Sequence, residues 1–172
     1  MKLKIKFTAF VASSIDGKIA KDNKTFVDWT SKEDWDFFQK SLAKFDVVVV
    51  GHNTYKIYKK RLNKRNTIVF TSKATNLKTQ GSVIFLNPRY VSILDLIRKT
   101  KYKKIAILGG PKVYAYFLEN KMLNEIFVTI EPIIFTAGVS MLSGKKFKKY
   151  NFILRSIKRL NKKGTLLLKY KK

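Results

Sequence analysis

A chain of 172 residues with 45% hydrophobic and 13% aromatic side chains can bury one sizeable core, which excludes a disordered polymer. It has no cysteine and a single histidine, His52, which excludes disulfide scaffolds, thiol catalysis, cysteine-ligated zinc and multi-histidine metal centres. Lysine and arginine total 37 against 11 acids, a net charge of +26. The cations are scattered through every segment, arginine is scarce beside lysine, and no nucleic-acid-binding motif is present. The expectation is an ordinary fold in a lysine-biased sequence, without a specific nucleic-acid site. No apolar run is long enough to span a bilayer, and the N-terminal Met-Lys-Leu-Lys-Ile-Lys has no apolar signal segment, so a soluble cytoplasmic protein is expected.

In chain order, the first strand is predicted over Leu3–Ala12 and the first helix over Ser31–Lys44. Thr30 or Ser31 can cap that helix: Thr30-x-x-Glu33 reads as a capping box and Ser31-x-x-Asp34 as a weaker one. Its apolar stripe runs Trp35, Phe38, Leu42, while Asp36, Gln39 and Lys40 look outward. Asp34 lies one turn before Phe38 and borders the stripe. A carboxylate on a buried edge is costly unless hydrogen-bonded, and a flat heterocycle with amidine-like N–H donors would partner it. The alternative is that Asp34 merely complements the helix dipole.

Further strands are expected at Asp46–Val50, Thr67–Thr71, Ser82–Leu86, Lys104–Leu108, Glu125–Phe135, Phe152–Leu160 and Thr165–Tyr170, and helices at Asn53–Tyr58, Val91–Thr100 and Pro111–Glu119. The middle alternates strand and helix; the end is strand-only, with Asn161-Lys-Lys-Gly164 as a hairpin turn. This describes a single α/β domain with a mostly parallel central sheet and an antiparallel C-terminal edge. Val47–Val50 and Ile105–Leu108 are continuous apolar runs, as strands buried on both faces require. Each ends in glycine and passes into a helix, through Gly51-His52-Asn53-Thr54 and Gly109-Gly110-Pro111. Two such helix N-termini beyond the carboxyl ends of strands could hold two parts of one phosphorylated ligand.

Together these pieces resemble dihydrofolate reductase over nearly the whole chain. The ordered motifs are Trp29-x4-Asp34-x3-Phe38, then Gly51-x-x-Thr54, Leu62 and Arg65 at the family's spacing, Thr71-Ser72 at a strand end, Leu108-Gly-Gly-x-x-x-Tyr114, and Thr129 inside the sixth long strand. Other features resemble the related pyrimidine reductases of riboflavin synthesis: Ala12-Ser-Ser-Ile-Asp16-Gly17-Lys-Ile-Ala20 and the ending Gly164-Thr-Leu-Leu-Leu. Lys32 stands where dihydrofolate reductases carry a proline, and the loop from Ile19 to Trp29 is about two residues longer than usual and lacks its methionine.

The resemblance implies an eight-stranded sheet with four helices, and hydride transfer from NADPH to dihydrofolate. On it, Asp34, Trp29 and Thr129 form the catalytic set, with Asp34 binding the pterin and favouring protonation of N5 and Thr129 supporting Asp34. Phe38, Tyr58, Leu62 and Tyr114 pack on the substrate, Arg65 clamps its carboxylate, and the carbonyls of Ala12 and Leu108 take the second pterin amine. Ile19, His52, Asn53, Thr54, Gly109 and Gly110 face the cofactor. Thr71, Ser72, Lys73 and Lys112 surround the 2′-phosphate, which suits NADPH over NADH. Asp16 orders the turn into the loop over the nicotinamide. No metal is implied. The runner-up substrate is the riboflavin-pathway pyrimidine or another pteridine, and the third reading is a non-catalytic nucleic-acid-binding relative. Monomer and homodimer stay open.

Overall fold

A computed structural model describes residues 5–142 and 147–172. The backbone is a nine-stranded sheet in the order β10-β11-β8-β1-β7-β3-β4-β6-β5, flanked by four helices, with a separate two-stranded ribbon of β2 and β9. The strands are β1 (Lys6–Ser13), β2 (Lys18–Ala20), β3 (Val47–Gly51), β4 (Thr67–Phe70), β5 (Lys78–Gln80), β6 (Val83–Leu86), β7 (Lys104–Ile107), β8 (Leu123–Ile130), β9 (Val139–Ser140), β10 (Ile153–Arg159) and β11 (Leu166–Lys171). The helices are α1 (Lys32–Leu42), α2 (His52–Leu62), α3 (Ile93–Thr100) and α4 (Pro111–Glu119). The strands from β8 through β6 run parallel; β10, β11 and β5 are antiparallel edges.

The apolar runs behave as their composition dictates. Val47–Val50 and Ile105–Ile107 lie in the middle of the sheet and are covered on both faces. One face is packed through Ile105, Ile107, Ile93, Ile97 and Phe117, the other through Phe10, Val48, Val50, Tyr55 and Leu62. Because β7 lies between β1 and β3, the carboxyl ends of β1, β7, β3 and β4 open on one edge of the domain, where the loops to the helices begin.

Several boundaries differ from the sequence reading. The central sheet has nine strands where eight were expected, because β5, a wholly exposed Lys-Thr-Gln edge, carries no apolar signal. The ribbon strands β2 and β9 are two or three residues long, too short for periodicity to show. The strand expected to reach Phe135 stops at Ile130, just ahead of Glu131-Pro132. Helix α2 runs on to Leu62 past a non-helical Tyr58, where the polar run Lys59-Lys60-Arg61 conceals the continuation. The expected strand Leu3–Ala12 begins outside the described residues. The C-terminal turn forms as expected, with Gly164 at φ 102° and its N–H donated to Asn161. Among the described residues no helix is long and apolar enough to cross a membrane.

Candidate functional site

A cavity of about 1460 Å³ opens at the carboxyl ends of the parallel strands. That is room for a dinucleotide and a small heterocycle together. Its floor is acidic, one wall is aromatic, and the far half is lined by helix starts, hydroxyls and cations.

Asp34 forms the floor. Ser31 caps α1, its Oγ accepting the Asp34 N–H at 3.3 Å, so the weaker of the two expected caps is the one that forms. Asp34 is 7% exposed, and its Oδ1 accepts a hydrogen bond from Thr129 Oγ1 at 2.6 Å. Among the described residues no lysine or arginine lies within 4.0 Å of it. Burial pushes the Asp34 acid up to about 6, the Thr129 hydrogen bond opposes this, and the negative charge of Glu131 adds to it. An acid held there carries a proton for part of the time at neutral pH, which is the condition for donating one.

The aromatic wall is built on Phe10 of β1, whose ring stacks on Phe127 at 5.1 Å and meets Phe38 edge-on at 5.9 Å. Phe37, Phe38 and Leu62 complete it. Trp35, beside Asp34 on α1, also faces the cavity, and the Arg61 guanidinium lies 4.6 Å over its ring and 5.4 Å from that of Phe26. Phe26 and Tyr58 pack at 4.9 Å, and the Tyr58 hydroxyl accepts the Val27 N–H at 3.0 Å. The loop between β2 and α1 is thereby held onto α2. Arg61, Lys64 and Arg65 put three cations at this end of the cavity.

In the other half, β3 and β7 are neighbours, so their two glycine turns meet: Gly51 N–H donates to Gly109 O at 2.8 Å. Gly109 has φ 95°, and a Cβ there would come within 2.8 Å of the Tyr114 ring, so no other residue fits. His52, Asn53, Thr54, Gly110 and Lys112 at the starts of α2 and α4 line the cavity, as do Thr71, Ser72 and Lys73 after β4 and Asn87 and Arg89 after β6. His52 Nδ1 is buried without a partner, and burial together with Lys56 and Lys73 lowers the proton affinity of the ring. Backbone N–H groups at two helix starts, hydroxyls, Lys73, Arg89 and Lys112 make a donor set suited to a polyphosphate such as that of NADPH.

The cavity therefore gathers Asp34, Thr129, Ala12, Phe38, Tyr58, Leu62, Arg65, Leu108, Tyr114, Ile19, His52, Asn53, Thr54, Thr71, Ser72, Lys73, Gly110 and Lys112. Two expected members do not line it. Trp29 turns away, its indole edge-on to Phe135 at 5.1 Å with Nε1 buried and unpartnered; the tryptophan that faces the cavity is Trp35. Gly109 lies behind Tyr114. Tyr114 reaches the cavity but its hydroxyl is committed, donating to the Phe10 carbonyl at 2.5 Å. Gln39, read as outward-facing, lines the cavity. Asp16 accepts the Phe135 N–H and the Ser14 hydroxyl and so ties the turn after β1, as expected.

Sequence reasoning missed Arg61, Arg89 and Glu131. Arg61 sits one helical turn before Arg65, and Arg89 follows a parallel strand at its carboxyl end, so spacing and placement could have found both. Glu131 is two residues beyond Thr129, on the same face by the strand period.

Comparison with known proteins is consistent with this geometry. A profile of the RibD C-terminal domain matches residues 6–166. The uncharacterized protein YwjB of Bacillus subtilis (strain 168) is 24% identical over 148 residues, covering 79% of this chain and 82% of its own. A pyrimidine reductase-like protein from Corynebacterium diphtheriae superposes with a TM-score of 0.74 at 18% identity, over 98% of this chain and 92% of that one. Dihydrofolate reductase from Enterococcus faecalis, solved in complex with NADP(H) and RAB-propyl, superposes with a TM-score of 0.65 at 20% identity, over 98% of this chain and 97% of that one. The dihydrofolate-reductase fold expected from the motifs is thus present, while the matching family is the RibD C-terminal domain. Together these findings support a reductase of the pteridine or pyrimidine type.

Proposed function

The chain belongs to the RibD C-terminal domain family, and from that premise we propose that it reduces a C=N bond of a pyrimidinone-bearing substrate with NADPH. The leading substrate class is a ribosylaminopyrimidinone phosphate of the riboflavin route. The observation that carries the reading is the buried Asp34–Thr129 pair at the floor of a cavity whose other half is a phosphate-binding lining.

NADPH supplies the hydride when bound; Lys73, Lys112, Arg89 and the starts of α2 and α4 are the residues to hold it. Asp34 accepts ring N–H donors, which orients the heterocycle flat against Phe38 and Phe10. Such positioning accounts for much of the rate of a reaction whose reacting groups belong to the ligands. The nitrogen of the C=N bond gains a proton as the carbon gains hydride. Asp34, pushed up to about 6, holds a proton near neutral pH that can reach the nitrogen through the ring or a water. Arg61, Lys64 and Arg65 receive the anionic tail, with Arg61 pre-oriented on Trp35.

The second reading is dihydrofolate reduction. It is favoured by the apolar character of Phe37, Phe38 and Leu62, which suits a benzoyl ring better than a sugar, and by Arg65 at the cavity end, which suits a glutamate carboxylate. The deciding experiment follows NADPH by its near-ultraviolet absorbance with the ribosylaminopyrimidinone phosphate and with dihydrofolate side by side. Turnover of the first supports the leading class and turnover of the second alone the alternative. If neither substrate is reduced, the proposal falls.

A further inference from the structure

We propose that Glu131 is the positioning residue of this site: it completes the cap of α1 so that Asp34 can face the cavity, and its negative charge, on the same side of the sheet, keeps that acid a proton donor. This rests on the reductase reading only where turnover is measured.

The argument starts from the cap. In a capping box the cap side chain takes the N–H three residues on, and an acid at that third position returns to the cap N–H. Here Ser31 Oγ accepts the Asp34 N–H, but the Asp34 carboxyl turns to Thr129 instead of returning. The Ser31 N–H is taken by Glu131 Oε1 at 2.7 Å, from a strand end 100 residues away in sequence. The two tasks of one acid are divided between two. Without Glu131, either the Ser31 N–H is left without its partner or Asp34 is drawn back from the cavity to serve it.

Glu131 itself is 3% exposed. Its N–H still bonds to Ser13 O at 2.9 Å, so the pleat of β8 continues and its side chain leaves on the Thr129 face. Its second oxygen accepts from Thr165 Oγ1 at 2.6 Å. Thr165 Oγ1 in turn receives Asn161 Nδ2 at 2.8 Å, so the single hydroxyl proton of Thr165 points at Glu131. Both oxygens are thus acceptors, the arrangement of a carboxylate held by dipoles. Among the described residues no cation lies within 4.0 Å of it, so its charge is not cancelled locally.

The other charged groups facing Asp34 do not supply this effect. On α1, Glu33 and Asp36 are exposed, and Glu33 is held by Asn161. On β8, Glu125 is engaged by Lys6, Lys169 and Lys171, the last two on β11. Across the cavity Asp22 comes from the loop before α1, and Arg61, Lys64 and Arg65 from α2 and the turn after it. Those three cations form no ion pair with Asp34, and a positive charge cannot supply an upward shift.

The test is a carbon-13 NMR titration of the Asp34 carboxyl in the parent and in Glu131→Gln, followed by the pH dependence of kcat/KM. Glutamine keeps an oxygen for the Ser31 N–H and removes the charge. The expected result is a midpoint lower by about one unit, with the decline of kcat/KM at rising pH moved down by the same amount and the low-pH plateau kept. Above the midpoint that is about a tenfold loss. A merely structural role would lower the rate at every pH without moving the midpoint. An Asp34 midpoint unchanged within roughly 0.2 units overturns the inference. The titration needs neither cofactor nor substrate, so a shifted midpoint in a protein that reduces nothing upholds this inference and sinks the reductase reading alone. If the glutamine variant does not fold, Thr165→Ser and Thr165→Val replace it. Serine keeps the donor to Glu131 and leaves the midpoint in place. Valine removes one of the dipoles that keep Glu131 charged, so the Asp34 midpoint falls as it does with glutamine; no fall with valine overturns the inference.

Discussion

Replacing Asp34 by asparagine should stabilise this protein at neutral and alkaline pH while disabling it. The carboxyl moves from 3.8 to about 6 on folding, chiefly through burial. Because the folded state holds the proton more tightly, this group's contribution is fully present below about pH 3.8 and is lost as pH rises through about 6. Two units correspond to about 3 kcal/mol between those limits. Asparagine has no charge to desolvate, and its oxygen can still accept from Thr129. Its amide nitrogen, however, needs an acceptor where the second carboxylate oxygen was, which offsets part of the gain. The expected net advantage of the variant at pH 8 is therefore about 1–2 kcal/mol, roughly 3–6 °C in Tm for a chain of this size. The assay is urea and thermal unfolding of both proteins at intervals from pH 4 to pH 8. The gap should open as pH rises through 6 and then level off. Turnover at pH 7 should fall at least about 10²-fold, with NADPH binding retained. A gap that stays flat across this range, or a parent that is the more stable protein at pH 8, would refute the reasoning.

Three further outcomes are expected. Alanine at Lys73 and Lys112 together should raise the KM for NADPH about tenfold or more and that for NADH little, because the 2′-phosphate is the group those cations can read; steady-state kinetics with both cofactors checks this. Glu125→Gln should cost about 1 kcal/mol, since its three lysine partners sit partly in water, and should spare kcat. Burial works to raise the Glu125 carboxyl, but Lys6 and its neighbours hold it below the usual range, so its stabilisation is lost as pH falls through that lowered value, and urea midpoints of parent and variant should converge in acid. Tyr114→Phe leaves the Phe10 carbonyl without its buried donor and should cost about 1–2 kcal/mol in chemical denaturation while changing NADPH affinity little.

What was legible in the sequence is what depends on short-range pattern. The strand runs Val47–Val50 and Ile105–Ile107, the glycine turns that follow them and the Asp34 position on its helix all come from local spacing. The hydrogen-bonded pair Asp34–Thr129 is reached only through the resemblance, because the two residues are 95 apart and no period links a helix to a strand. Trp29 was misplaced for a similar reason. A motif fixes where a residue falls in the chain, whereas the direction of its indole depends on Phe135, which arrives from the far side of the fold. The one local sign of Glu131 is its two-residue spacing from Thr129, since its partners Ser31 and Thr165 lie 100 residues before it and 34 after it.

The charge of +26 takes on meaning once the cavity is known. Lys56, Arg61, Lys64, Arg65, Lys73, Arg89 and Lys112 line it against the acids Asp22 and Asp34. A cleft of one sign between low-dielectric walls attracts anions and speeds their encounter. On the proposed function, the tail of such an anion goes to the cationic end and a ring that offers N–H donors goes to Asp34. On the proposed function, specificity for the ring is set by a carboxyl that burial and Glu131 tend to protonate and that the Thr129 hydrogen bond tends to keep ionised. A general polybasic surface would lack this opposition. On that reading the cavity captures a polyanion by its cationic lining and orients the N–H-bearing face of it by Asp34.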